Sequence, residues 1–296
     1  MQVNRSARPK IITLLSILIY VLFSQSSSAQ QSHAPYQDPS FEVKETKDEG
    51  RYALWIMPPK LIEATVAIET RSENMTLNRK TPFTIDVSSA KMDLRRANNI
   101  LQAKQTDTGQ RYEFYWTYNW MIGLRGGKPD PSILYALPFD SGTRCKVNQS
   151  YFGAYSHGSG SQNEYAVDFG LPEGTPVCAA REGIVVAVRS DSGIGGRDPQ
   201  VYKNTANYVV IKHADGSYGS YLHLMQGSTL VKPGQTVKRG EHIAKVGATG
   251  AVTCPHLHFD VSVPLDGYSR KSYPITFDTA SGTVSKPIEG DTYVAR

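Results

Sequence analysis

From Pro138 onward, glycine and proline punctuate the chain at short intervals, as in Pro172-Glu-Gly-Thr-Pro176, Gly193 to Gly196, Pro233-Gly234, Gly240, Gly247 and Gly250. Between them lie short runs rich in β-formers: Tyr165 to Phe169, Gly183 to Arg189, Tyr208 to Lys212, Ser220 to Leu224, Ile243 to Val246 and Leu257 to Val263. Such spacing leaves no room for the crossover helices that a parallel sheet requires, so this half is predicted to be an all-β domain of short strands. With only 3 Cys in 296 residues, a hydrophobic core rather than a disulfide framework must hold it together.

The first half has a different texture. Arg5, Arg8 and Lys10 precede an apolar run from Ile11 to Phe23, and Ser27-Ser28-Ala29 forms a small-residue site, the pattern of a secretory signal peptide over residues 1–29. The run is short against the roughly 20 residues that span a bilayer, so cleavage is expected and no stable membrane span should remain. Cleavage after Ala29 removes three cations and takes the formal charge from +5 to +2. The mature protein is therefore expected to be exported, to the periplasm or the extracellular space, with no charge pattern that suggests nucleic acid as a partner.

Residues 30–50 are polar and charged and read as a flexible lead-in. In 51–135, period-two runs at Tyr52 to Met57, Ala64 to Thr70, Phe83 to Val87 and Tyr112 to Tyr118 are bounded by turn formers and predict a β-sandwich-like accessory domain. Only Ala90 to Lys104 has helical spacing, through Met92, Leu94, Ile100 and Leu101. No cluster of His, Cys or acid at ligand spacing occurs there, so chemistry is sought in 136–296.

Three histidines of that second unit lie in two tight contexts, Tyr221-Leu-His-Leu224 and Pro255-His-Leu-His-Phe259. Side chains two apart on a strand share a face, so His256 and His258 project together while Leu257 and Phe259 face the core. By the same alternation Asp168 points away from Val167 and Phe169, beside the small Ala166 and Gly170, where it could bind a cation. A catalytic zinc takes three His, Asp or Glu ligands and keeps an open position; Asp168, one of the paired histidines and one further nitrogen would complete that set.

The order Tyr165-Ala-Val-Asp-Phe-Gly170, Pro172-Glu-Gly-Thr-Pro-Val177, Ala179-Ala-Arg-Glu-Gly183, Asn207-Tyr-Val-Val-Ile-Lys-His213, Tyr221-Leu-His-Leu224, Gly247-Ala-Thr-Gly250 and Pro255-His-Leu-His-Phe259 resembles the catalytic domain of LytM-type M23 zinc metallopeptidases, the lysostaphin-like endopeptidases of bacterial cell walls. The resemblance implies an antiparallel, barrel-like β-sheet domain and a zinc cofactor. It also implies hydrolysis of peptidoglycan peptide stems by a zinc-activated water. It assigns Asp168 and His258 as zinc ligands and His223 and His256 as the catalytic pair.

Many family members carry a third ligand, His, four residues before the metal Asp, where this chain has Glu164. Tyr155-Ser-His-Gly158 resembles a subgroup that places the ligand earlier, which makes His157 the expected third ligand and Glu164 the alternative. The Gly-Ser-Gly-Ser run at 158–161 would let the chain return to the metal. His213 reads as a strand-end residue or a cleft residue, His242 as solvent-facing, and His33 lies in the lead-in; Asn207 and Tyr221 serve packing or substrate contact. A Cys178–Cys254 bridge would pin the metal-bearing strand, the alternative being that Cys145, Cys178 and Cys254 are small buried apolar side chains.

Two other function classes share parts of this pattern. One is a catalytically inactive LytM-type wall-binding module that regulates other hydrolases; it usually shows lost ligands, whereas Asp168, His223, His256 and His258 all remain. The other is a lipoyl-type carrier, which shares the Gly-x-x-Val and Gly-x-x-Ile rhythm of 234–243 but has no use for His-Leu-His.

Overall fold

The computed structural model describes residues 29–31, 41–57 and 62–296. Most of the signal-peptide segment and His33 lie outside them, and no helix among the described residues is long and apolar enough to cross a membrane.

The first half builds two four-stranded sheets. One runs in the order Val43–Asp48, Arg51–Ile56, Asn98–Gln105, Met75–Leu77, and the other Ala29–Gln31, Glu113–Ile122, Glu63–Glu73, Phe83–Ser88. Alternate residues of each, among them Leu54, Ile56, Leu101, Val66, Ile68 and Trp120, close on a common core, as the period-two runs predict.

Two expectations for this half are corrected. The charged run Glu42 to Glu49 is no loose lead-in from 43 onward: Val43–Asp48 pairs with Arg51–Ile56 through a turn in which Glu49 and Gly50 take φ of 36° and 73°. Its anchors are Phe41 and Val43, both buried, with the Phe41 ring stacked 4.9 Å from that of Trp120. The segment Ala90 to Lys104 is not helical either. Residues 89–97 are turns, with the Asp93 carboxylate accepting from the Arg95 backbone N–H, and Asn98–Gln105 is a strand paired on both sides, so pairing with waiting neighbours overrides the helical spacing.

The second half is dominated by one open sheet in the order Thr236–Val237, Gly183–Arg189, Tyr208–Lys212, Tyr218–Leu222, His256–Pro264, Val167–Gly170, Arg144–Gln149, Thr292–Val294. Arg270–Ser272 also pairs with His256–Pro264, and the sheet does not close into a barrel. Val167, Phe169, Leu257, Phe259, Val209, Ile211 and Tyr221 point to one face and form a core with Phe139, Val147 and Phe277.

The opposite face carries the polar set and is shared. Leu222 lies directly across from His258, and Tyr218 across from Ser262, so these four side chains stand on the same face. Over the Tyr208–Lys212 and Tyr218–Leu222 strands that face is covered by the first half: Val186, Ala187, Tyr208, Val210, Tyr218 and Leu222 belong to the same core as Trp120 and Val66. Glu63 fastens the seam, accepting from Lys212 Nζ at 2.7 Å and from the Tyr218 hydroxyl at 2.8 Å. Farther across the sheet, at His256–Pro264 and Val167–Gly170, the same face opens into a cleft.

Candidate metal centre

Asp168 and His258 are direct partners on neighbouring antiparallel strands, which places their side chains side by side on the polar face. His258 Nδ1 lies 2.9 Å from Asp168 Oδ1, and its Nε2 lies 3.3 Å from Asp260 Oδ2. A carboxylate can only accept, so without a metal both ring nitrogens donate and the ring is a cation; to act as a ligand His258 would give up the proton it shares with Asp168. Burial acts to lower its pKa, but the bonds to Asp168 and Asp260 outweigh it and push His258 up to about 9. Burial likewise works against the Asp168 charge, and the hydrogen bond and positive charge of His258 help hold the carboxyl well below its usual range.

His157 completes the group. It arrives from the turn-rich segment between the Arg144–Gln149 and Val167–Gly170 strands and is wholly buried. Its Nδ1 donates to the Ser150 carbonyl at 3.2 Å, which leaves a lone pair on Nε2. That atom is buried without a hydrogen-bond partner and faces Asp168 Oδ1 at 3.4 Å. Two acceptor lone pairs that close, out of water, call for a cation between them. The ligand atoms of His157, Asp168 and His258 all lie within 4.8 Å of one another, a two-nitrogen, one-carboxylate donor set that fits zinc. Glu164 is not among them: its Oε2 accepts from the Gly160 N–H at 2.6 Å.

His223 and His256 stand beside this group, with ring centroids 4.6 Å apart, and His223 is 6.0 Å from His258. His223 Nδ1 donates to the Thr249 carbonyl at 2.8 Å and His256 Nδ1 to the Cys254 carbonyl at 2.9 Å. Both rings are thereby fixed in the tautomer that leaves Nε2 bare. Burial, with the adjacent His256 and His258, pushes the His223 pKa down to about 3. His223 also adopts φ of 66°, left-handed backbone that a histidine takes up at a cost.

A cleft of about 860 Å3 opens over Asp168, His223, His256 and His258. Lys146, Arg197 and Lys203 give its walls a cationic character, with Glu289 also present. The Ser190 to Thr205 segment forms one wall; Gly195–Gly196 pairs with Gly250–Ala251, and Asp198 caps the single turn Pro199–Tyr202.

Several supporting residues escape the sequence reading. Gln149 donates to Asp168 Oδ2 at 3.0 Å and to Ser156 Oγ at 2.8 Å, while its Oε1 accepts from the Tyr155 and Ser156 backbone N–H groups. It thus ties the carboxylate to the segment that delivers His157. Asp260, beneath His258, is paired with the Arg270 guanidinium, which also reaches Ser262 Oγ at 2.7 Å and Asn163 Oδ1 at 2.6 Å. A period-two signal for Asp260 was present, since it continues the His256, His258 face by one step. Gln149 carries no such signal.

Residues with two readings are placed as well. Asn207 is buried, bonded through its side chain to Ser192 and Leu224, and Tyr221 is buried with its hydroxyl accepting from the Ala180 N–H; both brace the sheet and neither lines the cleft. His213 donates Nδ1 to the Glu182 carbonyl away from the cleft, and burial pushes its pKa down to about 4. The Cys178–Cys254 bridge is corrected: all three cysteines are free, Cys178 being buried beside Asp140 while Cys254 is exposed at the cleft near Asn148.

Comparison with known proteins finds a likeness in the half of the chain that carries this geometry. Residues 162–271 match the model for peptidase family M23. The peptidoglycan DD-endopeptidases ShyB and ShyA of Vibrio cholerae are 45% identical over 102 residues and 43% identical over 96 residues. The matches cover 33% and 32% of this chain but 21% and 19% of theirs, so the chain spans about a fifth of the length of these curated relatives. The catalytic domain of lysostaphin from Staphylococcus simulans is 26% identical, covering 44% of this chain and 87% of that one with a TM-score of 0.30. His157 lies ahead of the matched segment, whereas Asp168, His223, His256 and His258 lie inside it, so the likeness to peptidase family M23 takes in four of the five site residues.

Proposed function

We infer that the protein is an exported zinc-dependent endopeptidase that hydrolyses peptide cross-links of peptidoglycan, of the D,D type named for its Vibrio cholerae relatives. The observation that carries this reading is the buried, unpartnered Nε2 of His157 facing Asp168 Oδ1, beside two histidines whose Nε2 atoms are bare and open to one cleft. An inactive module has no need to keep all five side chains so arranged. The leader-like segment 1–29 supports export.

His157, Asp168 and His258 would hold the ion. Zinc, when bound, supplies a Lewis acid that polarises a peptide carbonyl and acidifies a water molecule. The chain's own part is positioning and proton transfer. His223, kept neutral by burial, accepts a hydrogen bond at Nε2 and orients the attacking water. His256 takes the proton at Nε2 and returns it to the departing amine, its ring held by the Cys254 carbonyl throughout. Lys146, Arg197 and Lys203 suit a peptide stem that carries free carboxylates.

The test is digestion of purified diaminopimelate-type peptidoglycan, with the released fragments identified by mass. Loss of cross-linked dimers that stops with chelator and returns with zinc is the expected result. Intact dimers with zinc bound would instead favour the regulatory wall-binding module. In parallel, His157→Ala should lose the cleft zinc and Glu164→Ala keep it; the reverse result would reassign the third ligand.

A further inference from the structure

A second group of ligand-type side chains lies outside the cleft. Asp140, Cys178 and His242 come from three separated parts of the sequence, yet their ligand atoms lie within 4.8 Å of one another. Asp140 Oδ1 is 2.6 Å from His242 Nε2 and 3.6 Å from Cys178 Sγ. None of the three lines the cleft. We propose that they form a second metal site, for zinc, that clamps the fold and is separate from the peptidase centre.

The backbone is arranged to bring them together. Pro176–Cys178 and His242–Lys245 form a two-stranded sheet whose register slips between Val177 and Cys178, and the slip sets Cys178 opposite His242. An irregularity of this kind re-aims a side chain. The Cys178 N–H donates to the Pro138 carbonyl at 2.9 Å, which laces the segment leading to Asp140 against the thiol-bearing strand, and the Thr143 N–H donates back to the Asp140 carbonyl at 3.0 Å. Cys178 is 2% exposed, while the side chains of His242 and Asp140 are 50% and 49% exposed. The thiol is thus sheltered and the other two ligands stand at the surface where an ion can enter.

The donor set selects the metal. Calcium and magnesium take oxygen ligands, whereas one thiolate, one imidazole and one carboxylate suit zinc, with water in the fourth position. Tetrahedral zinc at its usual bond lengths separates a sulfur from an oxygen ligand by about 3.5 Å and a nitrogen from an oxygen by about 3.3 Å. The Cys178 to Asp140 separation already matches. The His242 to Asp140 contact must open by about 0.7 Å, an easy rotation for two half-exposed side chains. A nucleophilic cysteine is the poorer reading, because the carboxylate rather than the imidazole is the group hydrogen-bonded to the thiol.

Cobalt(II) titration of the whole chain distinguishes this site from the cleft. The cleft group offers only nitrogen and oxygen, so thiolate-to-cobalt charge-transfer absorption in the near ultraviolet reports sulfur ligation alone. The expected result is two bound equivalents, with the sulfur band saturating at one. Cys178→Ser and His242→Ala should each remove that band, lower bound zinc from two equivalents to one and leave peptidoglycan digestion intact, whereas Cys254→Ser keeps the band. His242 is half exposed, so its variant should melt like the wild type in chelator and guards against a folding artefact. Absence of the sulfur band in the wild type, or a band that survives Cys178→Ser or His242→Ala, would overturn the proposal. None of these outcomes depends on whether the cleft cuts peptidoglycan.

Discussion

Replacing Gln149 with alanine tests whether the His157 segment is positioned through this one amide. Four hydrogen bonds would be lost: to Asp168 Oδ2, to Ser156 Oγ, and from the backbone N–H groups of Tyr155 and Ser156. The bond to the buried carboxylate is charge-assisted and contributes about 1.5–3 kcal/mol, and the two part-buried amides left unpaired add about 1 kcal/mol together. The total, about 3 kcal/mol, predicts a fall of about 6–12 °C in the melting temperature of the chelated protein. Because Gln149 orients a ligand carboxylate and the segment bearing His157, zinc affinity at the cleft should weaken about 10–100-fold. Differential scanning calorimetry and competition with a chromogenic chelator measure the two effects. Unchanged zinc affinity would refute the positioning role even if the protein melted earlier, since lost packing alone explains the second result and not the first.

Other expectations follow from the same geometry. His223→Asn should keep zinc stoichiometry, since asparagine tolerates the left-handed backbone there, while hydrolysis falls about 10²–10⁴-fold; loss of the metal instead would make His223 a ligand. In chelated protein the His258 pKa is raised to about 9, so its contribution, up to about 3 kcal/mol, is complete below pH 6.5 and lost as pH rises through 9. Melting temperature should therefore fall over that window without zinc. A flat profile would contradict the paired imidazolium. Tyr218→Phe removes a hydroxyl that donates to Glu63 and accepts from the Leu124 N–H, and should cost about 1–3 kcal/mol in urea unfolding with the cleft zinc undisturbed.

The alternation of side chains made much of this site legible in advance. Val167 and Phe169 on one side require Asp168 on the other, and Leu257 and Phe259 do the same for His256 and His258. The pairing of Asp168 with His258 is a matter of strand register, which single strands do not reveal. His157 was reached through a resemblance rather than through spacing, because a turn-rich segment has no periodicity that fixes where a side chain ends. Gln149 was invisible for a related reason: an amide on a strand reads as surface until the strand beside it is known. The strands at Val43–Asp48 and Asn98–Gln105 were missed because charge and helical spacing are local signals, and the partners that decide their conformation lie elsewhere in the sequence.

The core that joins the two halves has a mechanical consequence. Swinging the first half away from the sheet would bare Val186, Tyr208, Val210, Tyr218 and Leu222 to water. At about 1.5–3 kcal/mol for each large apolar side chain, the exposure costs on the order of 10 kcal/mol, comparable to the whole net stability of a typical domain. A hinge that opens and shuts the cleft by moving that half as a door is therefore too expensive for thermal motion to drive. Truncation at residue 136 would yield a fragment with a sticky flank, and its inactivity would report aggregation rather than a lost recognition surface.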